Sequence, residues 1–530
     1  VEVTVVNIDV FVRDGKGRPV PGLTAGDFKV TQDDAEMTIT NFAELSEEVF
    51  QTIFPTRSTA PEAEPADTDD EIADRIRPIF IVLYIDNENI HPLERNRVLR
   101  RVREFVNESL RPPVQMMVMS YQRSLKTVQP FTDDPVAINA ALRSVQTYTG
   151  GQVERDSTRS KLIEQMRDEE AADYGSSTSI DSKRDRIYQQ VTAYAREEAN
   201  NLAFTLSALR QTVEMLAGVD GRKSIVYVSS GLPMVPGLGL MHEYATSFHD
   251  SSVMVQRGNF DKTAEFRSLT ASASGQEVTF YTIDSSGLEV RDGVEAEDRY
   301  GVDPTASSIG ATNYQASLRY LAQRTGGQAI VNTNDVGPGL VKIRDDLFTY
   351  YSVGYVVPPS GQDRIHAVEV KLPGRSDLDL RYRSRFVERS LETKIQDTVL
   401  SSLILDIANN PMHLQLERGR AVPASSERWT VPIHISIPLR SVTLIEDRDN
   451  HVGRVVLFVG ARDDEGHESD VQRQEHEIVV PSLQLEEAEK QRYGIDVQLL
   501  MREGRQRVVV GVMDQITRQA SYEKLSLTVP

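Results

Sequence analysis

Eight consecutive residues, Pro78 to Ile85 (PIFIVLYI), form an apolar run that stops at Asp86, Asn87, Glu88 and Asn89. A continuous run rich in β-branched residues and bounded by turn formers predicts a strand buried on both faces, the kind found at the centre of a parallel sheet. Polar groups at the carboxyl end of such a strand fall where open α/β sheets bind their ligands. The run therefore predicts a core and a working edge together.

The rest of the chain can be placed around that strand. Residues 1–53 alternate apolar and polar positions, with a phase change at Val5 and Val6, and predict an N-terminal β segment. Residues 54–77 shift to Pro, Ala, Thr and acid, a composition that reads as a linker. Beyond the central strand, Leu99, Val102, Val106 and Leu110 recur at helical spacing. Val114 to Tyr121 and Leu125 to Val128 lie too close for a crossover and should pair as a hairpin, giving a mixed sheet. Residues 147–182 are polar and weakly periodic and read as an insertion, followed by a long helix from Ile187 to Leu216. Further strands are expected at Ser224 to Val228, Val278 to Ile283 and Gln328 to Val331, alternating with helices as in a doubly wound sheet.

The domain plan is thus an α/β domain over 78–352 and a β segment over 353–390, the region 351–390 pairing with the N-terminal strands. A connecting helix over 391–409 and an immunoglobulin-like β-sandwich over 410–530 complete it. Trp429, the only tryptophan, is expected to anchor the sandwich core.

Composition narrows the function. The 530 residues hold 59 Lys plus Arg against 79 Asp plus Glu, and the net charge of -20 repels nucleic acid. With no cysteine, disulfides and thiolate sites are excluded. No stretch approaches the roughly 20 apolar residues of a membrane span, and no signal-peptide pattern opens the sequence. A soluble protein is expected, and export would depend on a presequence outside these residues.

Three stretches carry a family resemblance: ALRQTVEMLAGVDGRKSIVYVSSGLP (Ala208 to Pro233), VTFYTIDSSGL, and LRYLAQRTGGQAIVNTNDVGPGLVKIRDDLFTYYSVGY (Leu318 to Tyr355). Together with VFVRDGKGRPVPGLTAGDFKV near the N-terminus, they resemble the von Willebrand factor A related proteins of the Acidobacteria type. The resemblance implies a Rossmann-like A domain, with a mixed, mainly parallel sheet and helices on both faces, plus β-sandwich domains. It also implies an exported, extracytoplasmic bacterial protein that works through protein interaction.

Domains of this family commonly hold a divalent cation on an Asp-x-Ser-x-Ser turn, a later Thr and a later Asp. Asp86 matches the first position, but Glu88 and Ile90 stand at the serines and Ser230 at the later aspartate. No Gly-Thr turn precedes the helix at Leu202. Asp86 and Glu88 are the remaining candidates, too few for the oxygen shell that Mg²⁺ or Ca²⁺ demands, so no metal or cofactor is expected.

No catalytic residue is assigned. His242-Glu243 would need His rather than Thr246 to complete a zinc helix, and Gly237-Leu238-Gly239 lacks the third glycine of a dinucleotide loop. Ser229-Ser230 lacks a nucleophile elbow. The expected role is a noncatalytic interaction or adhesion protein whose contact face comprises Asp86, Asn87, Glu88, Asn89, Ser229, Ser230 and Asp284 with Met234, Met241 and Met254. The alternatives are a structural subunit of a homo-oligomer or filament, with Val1 to Val12 as a pairing edge, and a hydrolase.

Overall fold

A computed structural model describes residues 4–54, 77–172, 177–288, 304–357, 362–407, 409–425 and 427–530. The expected linker falls almost wholly outside them. The chain divides into two compact units, one of 1–213, 220–360 and 364–388, the other of 214–219, 361–363 and 389–530.

The first unit opens with strands β1 (Thr4–Arg13), β2 (Lys29–Gln32), β3 (Ala35–Met37) and β4 (Ile39–Leu45), then helix α1 (Glu47–Ile53). The central strand is β5 (Ile79–Asp86), followed by α2 (Pro92–Ser109), the hairpin β6 (Val114–Gln122) and β7 (Ser124–Thr132), and α3 (Pro135–Val145). Two long helices follow, α4 (Gln152–Ala172) and α5 (Ser177–Met215). After them come β8 (Arg222–Ser229), α6 (Leu238–Ser247), α7 (Thr263–Gly275), β9 (Val278–Asp284), α8 (Pro304–Arg324), β10 (Ala329–Ile330) and α9 (Gly337–Phe348). Strands β11 (Tyr350–Val357), β12 (Arg364–Lys371), β13 (Asp379–Arg381) and β14 (Arg385–Glu388) close the unit.

The main sheet has the order β10-β9-β8-β5-β6-β7. Strands β10, β9, β8, β5 and β6 run parallel and only β7 is antiparallel. Its first and fourth strands, β5 and β8, are neighbours at the centre, and this reversal of strand order is the switch point where α/β sheets open a ligand crevice. Alternate residues of β5 face opposite sides, and Ile81, Val82, Leu83, Tyr84 and Ile85 are all inaccessible. One side packs on α2, α3 and α9 through Leu99, Leu142 and Ile343. On the other, α7 and α8 lie against β9. This is a Rossmann-like α/β domain, a mainly parallel sheet with helices on both faces, as the apolar run and the alternation of elements predicted.

Strands β1 and β11 pair antiparallel from Thr4 with Val357 to Val10 with Tyr351, and β2 pairs with β12. The two four-stranded sheets, β13-β1-β11-β4 and β14-β12-β2-β3, enclose a common core of Val10, Val30, Val353, Tyr355 and Val370. β1 pairs with β11 over Thr4–Val10 and with β13 only over Phe11–Arg13, so among the described residues no strand covers the second edge of Thr4–Val10. Charge fixes the base of the α/β domain to this layer. Arg222 at the start of β8 donates from Nε to Asp9 at 2.8 Å and lies 3.8 Å over the Tyr350 ring.

Within the stretch read as an insertion, 152–172 and 177–182 are helical. Leu162, Ile163 and Met166 of α4 join Val191 and Tyr194 of α5 and Met241 and Tyr244 of α6 in a separate core. That core exists because three otherwise polar helices each present a few apolar residues to one another.

In the second unit, α10 (Leu391–Ile404) precedes β15 (Gln415–Arg418), β16 (Val422–Pro423), β17 (Arg428–Pro438), β18 (Ile445–Asp447), β19 (Asn450–Asp463), β20 (Gln472–Pro481), β21 (Arg492–Arg502), β22 (Gly504–Asp514) and β23 (Ala520–Val529). Strands β15, β16 and β21 pair with β17, while β18, β20 and β22 pair with β19, and β23 with β22. The two sheets face each other across Val431, Ile433, Val455, Leu457, Val497 and Val510, a β-sandwich. Trp429 is half-buried and packs against this core without being enclosed by it.

Candidate functional site at the strand ends

Asp86 closes β5, and the chain turns through Asn87, Glu88, Asn89 and Ile90 before Pro92 starts α2. The turn is wound back on its own carboxylate. Asp86 Oδ1 accepts from the Asn89 backbone N–H at 3.1 Å, and Oδ2 accepts from Asn89 Nδ2 at 3.0 Å, from Ser229 Oγ at 3.4 Å and from the Tyr227 hydroxyl. Asn89 Nδ2 also donates to Thr205 Oγ1 at 3.0 Å, and the Asn89 carbonyl accepts from Ser230 N at 2.9 Å. One buried network therefore joins β5, β8 and α5. Burial pushes the Asp86 carboxyl above its ordinary range, even though Tyr227 and Asn89 favour its charged form.

The sequence-predicted residues separate into three groups. Asp86, Asn89, Ser229 and Ser230 share the hydrogen-bonded network, which extends from Ser230 Oγ to Ser285 Oγ at 2.8 Å and to Glu94 Oε2 at 3.2 Å. Asn87 points into a different set, donating to Ser120 Oγ at 2.7 Å and accepting from Arg95 Nη1 at 2.8 Å. Asp284 is held by the Ser286 backbone at 3.0 Å and by Gln315 Nε2 at 3.2 Å, with no direct bond to Asp86.

Most of the expected contact face is inside the protein. Asp86, Asn87, Ser229 and Met241 have no accessible surface, and Asp284 has 1%. Met241 belongs to the core between α4, α5 and α6, because the stretch after β8 folds into a helix rather than an open loop. Glu88, Ser230, Met234 and Met254 are half-buried.

A divalent cation does not fit at the Asp86 carboxylate. Both Asp86 oxygens already receive protein donors, Ile90 is an enclosed apolar side chain, and Ser230 offers a hydroxyl committed to Glu94 and Ser285. A hard ion needs several free oxygens with anionic charge among them. Among the described residues, three side chains of metal-binding type converge only at Asp463, Glu465 and His467. Arg502 Nη1 lies there already, 2.9 Å from His467 Nδ1.

Beside the turn lies a cleft of about 790 Å³ lined by His91, Glu94, Asp156, Glu198, Ser230 and Tyr314 among others. Glu198 accepts from Gly237 N at 2.6 Å and from the Tyr314 hydroxyl, and burial raises its pKa and that of Glu94. A second cleft of about 440 Å³ includes Glu88, Tyr121, Arg155 and Phe204. No imidazole is hydrogen-bonded to Ser229 or Ser230 among the described residues.

Several residues of the site escaped the sequence reading. Arg95 had a signal: it falls four residues before Leu99 on the apolar stripe of α2, and a charge there implies a buried partner. Tyr227 had a weaker one, since a tyrosine inside a buried strand needs an acceptor. Thr205, Arg155, Glu198 and Tyr314 had none, because their partners lie far away in sequence.

No family model and no curated protein matches the sequence. Among solved structures, the chain is similar to the conserved hypothetical protein BatB from Bacteroides thetaiotaomicron, with 8% identity and a TM-score of 0.24, over 51% of this chain and 97% of that one. It is also similar to the vWF domain of the type V pili tip protein Mfa5 from Porphyromonas gingivalis, with 11% identity and a TM-score of 0.27, over 51% and 95%. Three N-terminal domains of Mfa5 align at 10% identity and a TM-score of 0.26, over 82% and 75%.

Proposed function

We propose that this chain is a noncatalytic protein-interaction or adhesion protein, of the von Willebrand factor A related type found in Acidobacteria, working outside the cytoplasm. The observation that carries the reading is the strand-end face. Two polar clefts flank the β5–α2 turn, and exposed apolar side chains stand beside them, with Leu93 at 75% and Phe204 at 66% of full accessibility. Exposed apolar groups among polar clefts suit a protein partner. Partner contacts on this reading come from the rim, through Leu93, Phe204, Glu88 and Ser230, while the buried network keeps the turn rigid.

The hydrolase reading has less support, since Ser230 is bonded to a carboxylate and another hydroxyl rather than to a base of the imidazole type. The test is cross-linking mass spectrometry of the full chain in an extract of its source, with wild type and Leu93→Asp/Phe204→Asp compared. Partner cross-links within 88–94 and 150–159 that vanish in the folded double variant are expected. Cross-links unaffected by it, or turnover of any substrate abolished by Ser230→Ala, would sink the reading.

A further inference from the structure

The turn after β5 faces oxygens from several directions, and a side chain from outside the turn occupies their centre. Arg155, in the first turn of α4, donates from Nη1 to Glu88 Oε1 at 3.1 Å. Its Nη2 faces Asn89 Oδ1 at 3.0 Å, Gln152 Oε1 at 3.0 Å and the Glu88 carbonyl. Nη2 has two protons and three acceptors, so the oxygens outnumber the donors that reach them. Four oxygens, one of them anionic, gathered around one positive charge are the surroundings a hard cation selects.

The main chain is shaped to admit this side chain. A Cβ on Gly151 would collide with the Glu88 carboxylate, and one on Gly150 with the Ile90 carbonyl oxygen. Two glycines thus let the start of α4 lie directly on the turn. Arg95 braces the turn from another side, fully buried, holding Asn87 Oδ1 and the carbonyls of Gln146 and Tyr148 at 2.8, 2.6 and 2.8 Å respectively for Asn87, Gln146 and Tyr148. The segment 146–155 is therefore pinned to the turn at both of its ends.

We infer that Arg155 is the resident cation of this turn: its guanidinium fills an oxygen cage formed by Glu88, Asn89 and Gln152, and makes the strand-end face independent of divalent ions. This goes beyond the proposed interaction role and can stand or fall without a partner. The guanidinium is tethered to the chain, so it cannot be chelated or exchanged as a free ion can. It turns a site of the ion-binding kind into a fixed structural joint.

The test is thermal unfolding of the full chain with and without millimolar Mg²⁺, Ca²⁺ or Mn²⁺, and after EDTA. Wild type should keep one midpoint under all these conditions. Arg155→Ala should melt several degrees lower and recover part of the loss saturably on adding a divalent ion, which then enters the vacated cage. If the alanine variant does not fold, Arg155→Lys and Arg155→Gln replace it, and Lys should preserve more of the midpoint than Gln. A saturable rise in the wild-type midpoint with any of the ions, or equal melting of the Lys and Gln variants, would overturn the inference.

Discussion

Arg381 sets one nitrogen, Nη2, against both carboxylate oxygens of Asp346, at 2.7 and 2.6 Å, while Arg13 Nη2 reaches the same carboxylate at 2.6 Å. Asp346 is 1% exposed and belongs to α9, whereas Arg13 ends β1 and Arg381 ends β13. One carboxylate thus bridges two guanidiniums where the α/β domain meets its flanking β layer. Asp346→Ala should lower stability by about 3–5 kcal/mol, because it leaves two arginines beside an apolar core without their counter-charge. Urea titration measures this, and a loss below about 1 kcal/mol would show that the arginines find other partners.

The central strand was legible because its signal is local. An apolar run with an abrupt polar stop specifies burial on both faces, and β5, β8 and β9 each follow that pattern. Helix α4 was not, since only Leu162, Ile163 and Met166 of its length face a core, and their partners, such as Val191 and Met241, lie on other helices. The expected face grouped Ser229 and Asp284 with Asp86 and left out Thr205, Tyr227 and Arg155, whose positions around the turn depend on helix and strand placement that no short window contains. Exposure was misjudged for a related reason: methionines in a stretch rich in Gly and Pro read as a loop until a neighbouring helix covers them.

Leu83 sits at the middle of β5 with no accessible surface. Leu83→Ala should cost about 2–5 kcal/mol through the cavity it leaves. Leu83→Asp should yield no soluble, cooperatively folded protein, since a carboxylate there has no partner. Expression yield and a calorimetric scan decide both, and a cooperative melt of the Asp variant near the wild-type midpoint would remove Leu83 from the core.

Glu198 supplies a pH dependence of definite sign. Burial raises its folded pKa above the ordinary 4.5, so the native state holds its proton more tightly than the unfolded chain does. Its contribution is full below 4.5 and declines as pH rises through the folded value. The stability difference between wild type and Glu198→Gln should therefore shrink as pH increases from about 4.5 toward neutrality. Denaturant midpoints across that range test it, and a difference that grows with pH would reverse the assignment.

Asp9 should behave in the opposite sense. Burial disfavours its charge, but Arg222, Arg77 and Arg383 together outweigh that and hold its carboxyl below the ordinary 3.8. Its stabilising effect is present above 3.8 and is lost as pH falls through the lower folded value. Wild type should exceed Asp9→Asn in stability at neutral pH, and the gap should close on acidification below that point. An unchanged gap down to the acid transition would mean that Asp9 is not the group being protonated.

The pairing of β1 with β11 also has a consequence for synthesis of the chain. Val10 is matched with Tyr351 and Thr4 with Val357, so β1 waits for its neighbour until most of the α/β domain has left the ribosome. At ordinary elongation rates that interval is on the order of tens of seconds. Throughout it, an alternating strand carrying Val6, Ile8, Val10 and Val12 has no β11 to cover it. A chain released between residues 331 and 350 should therefore be captured by chaperones or aggregate through β1, even though every strand of the central sheet has already been made.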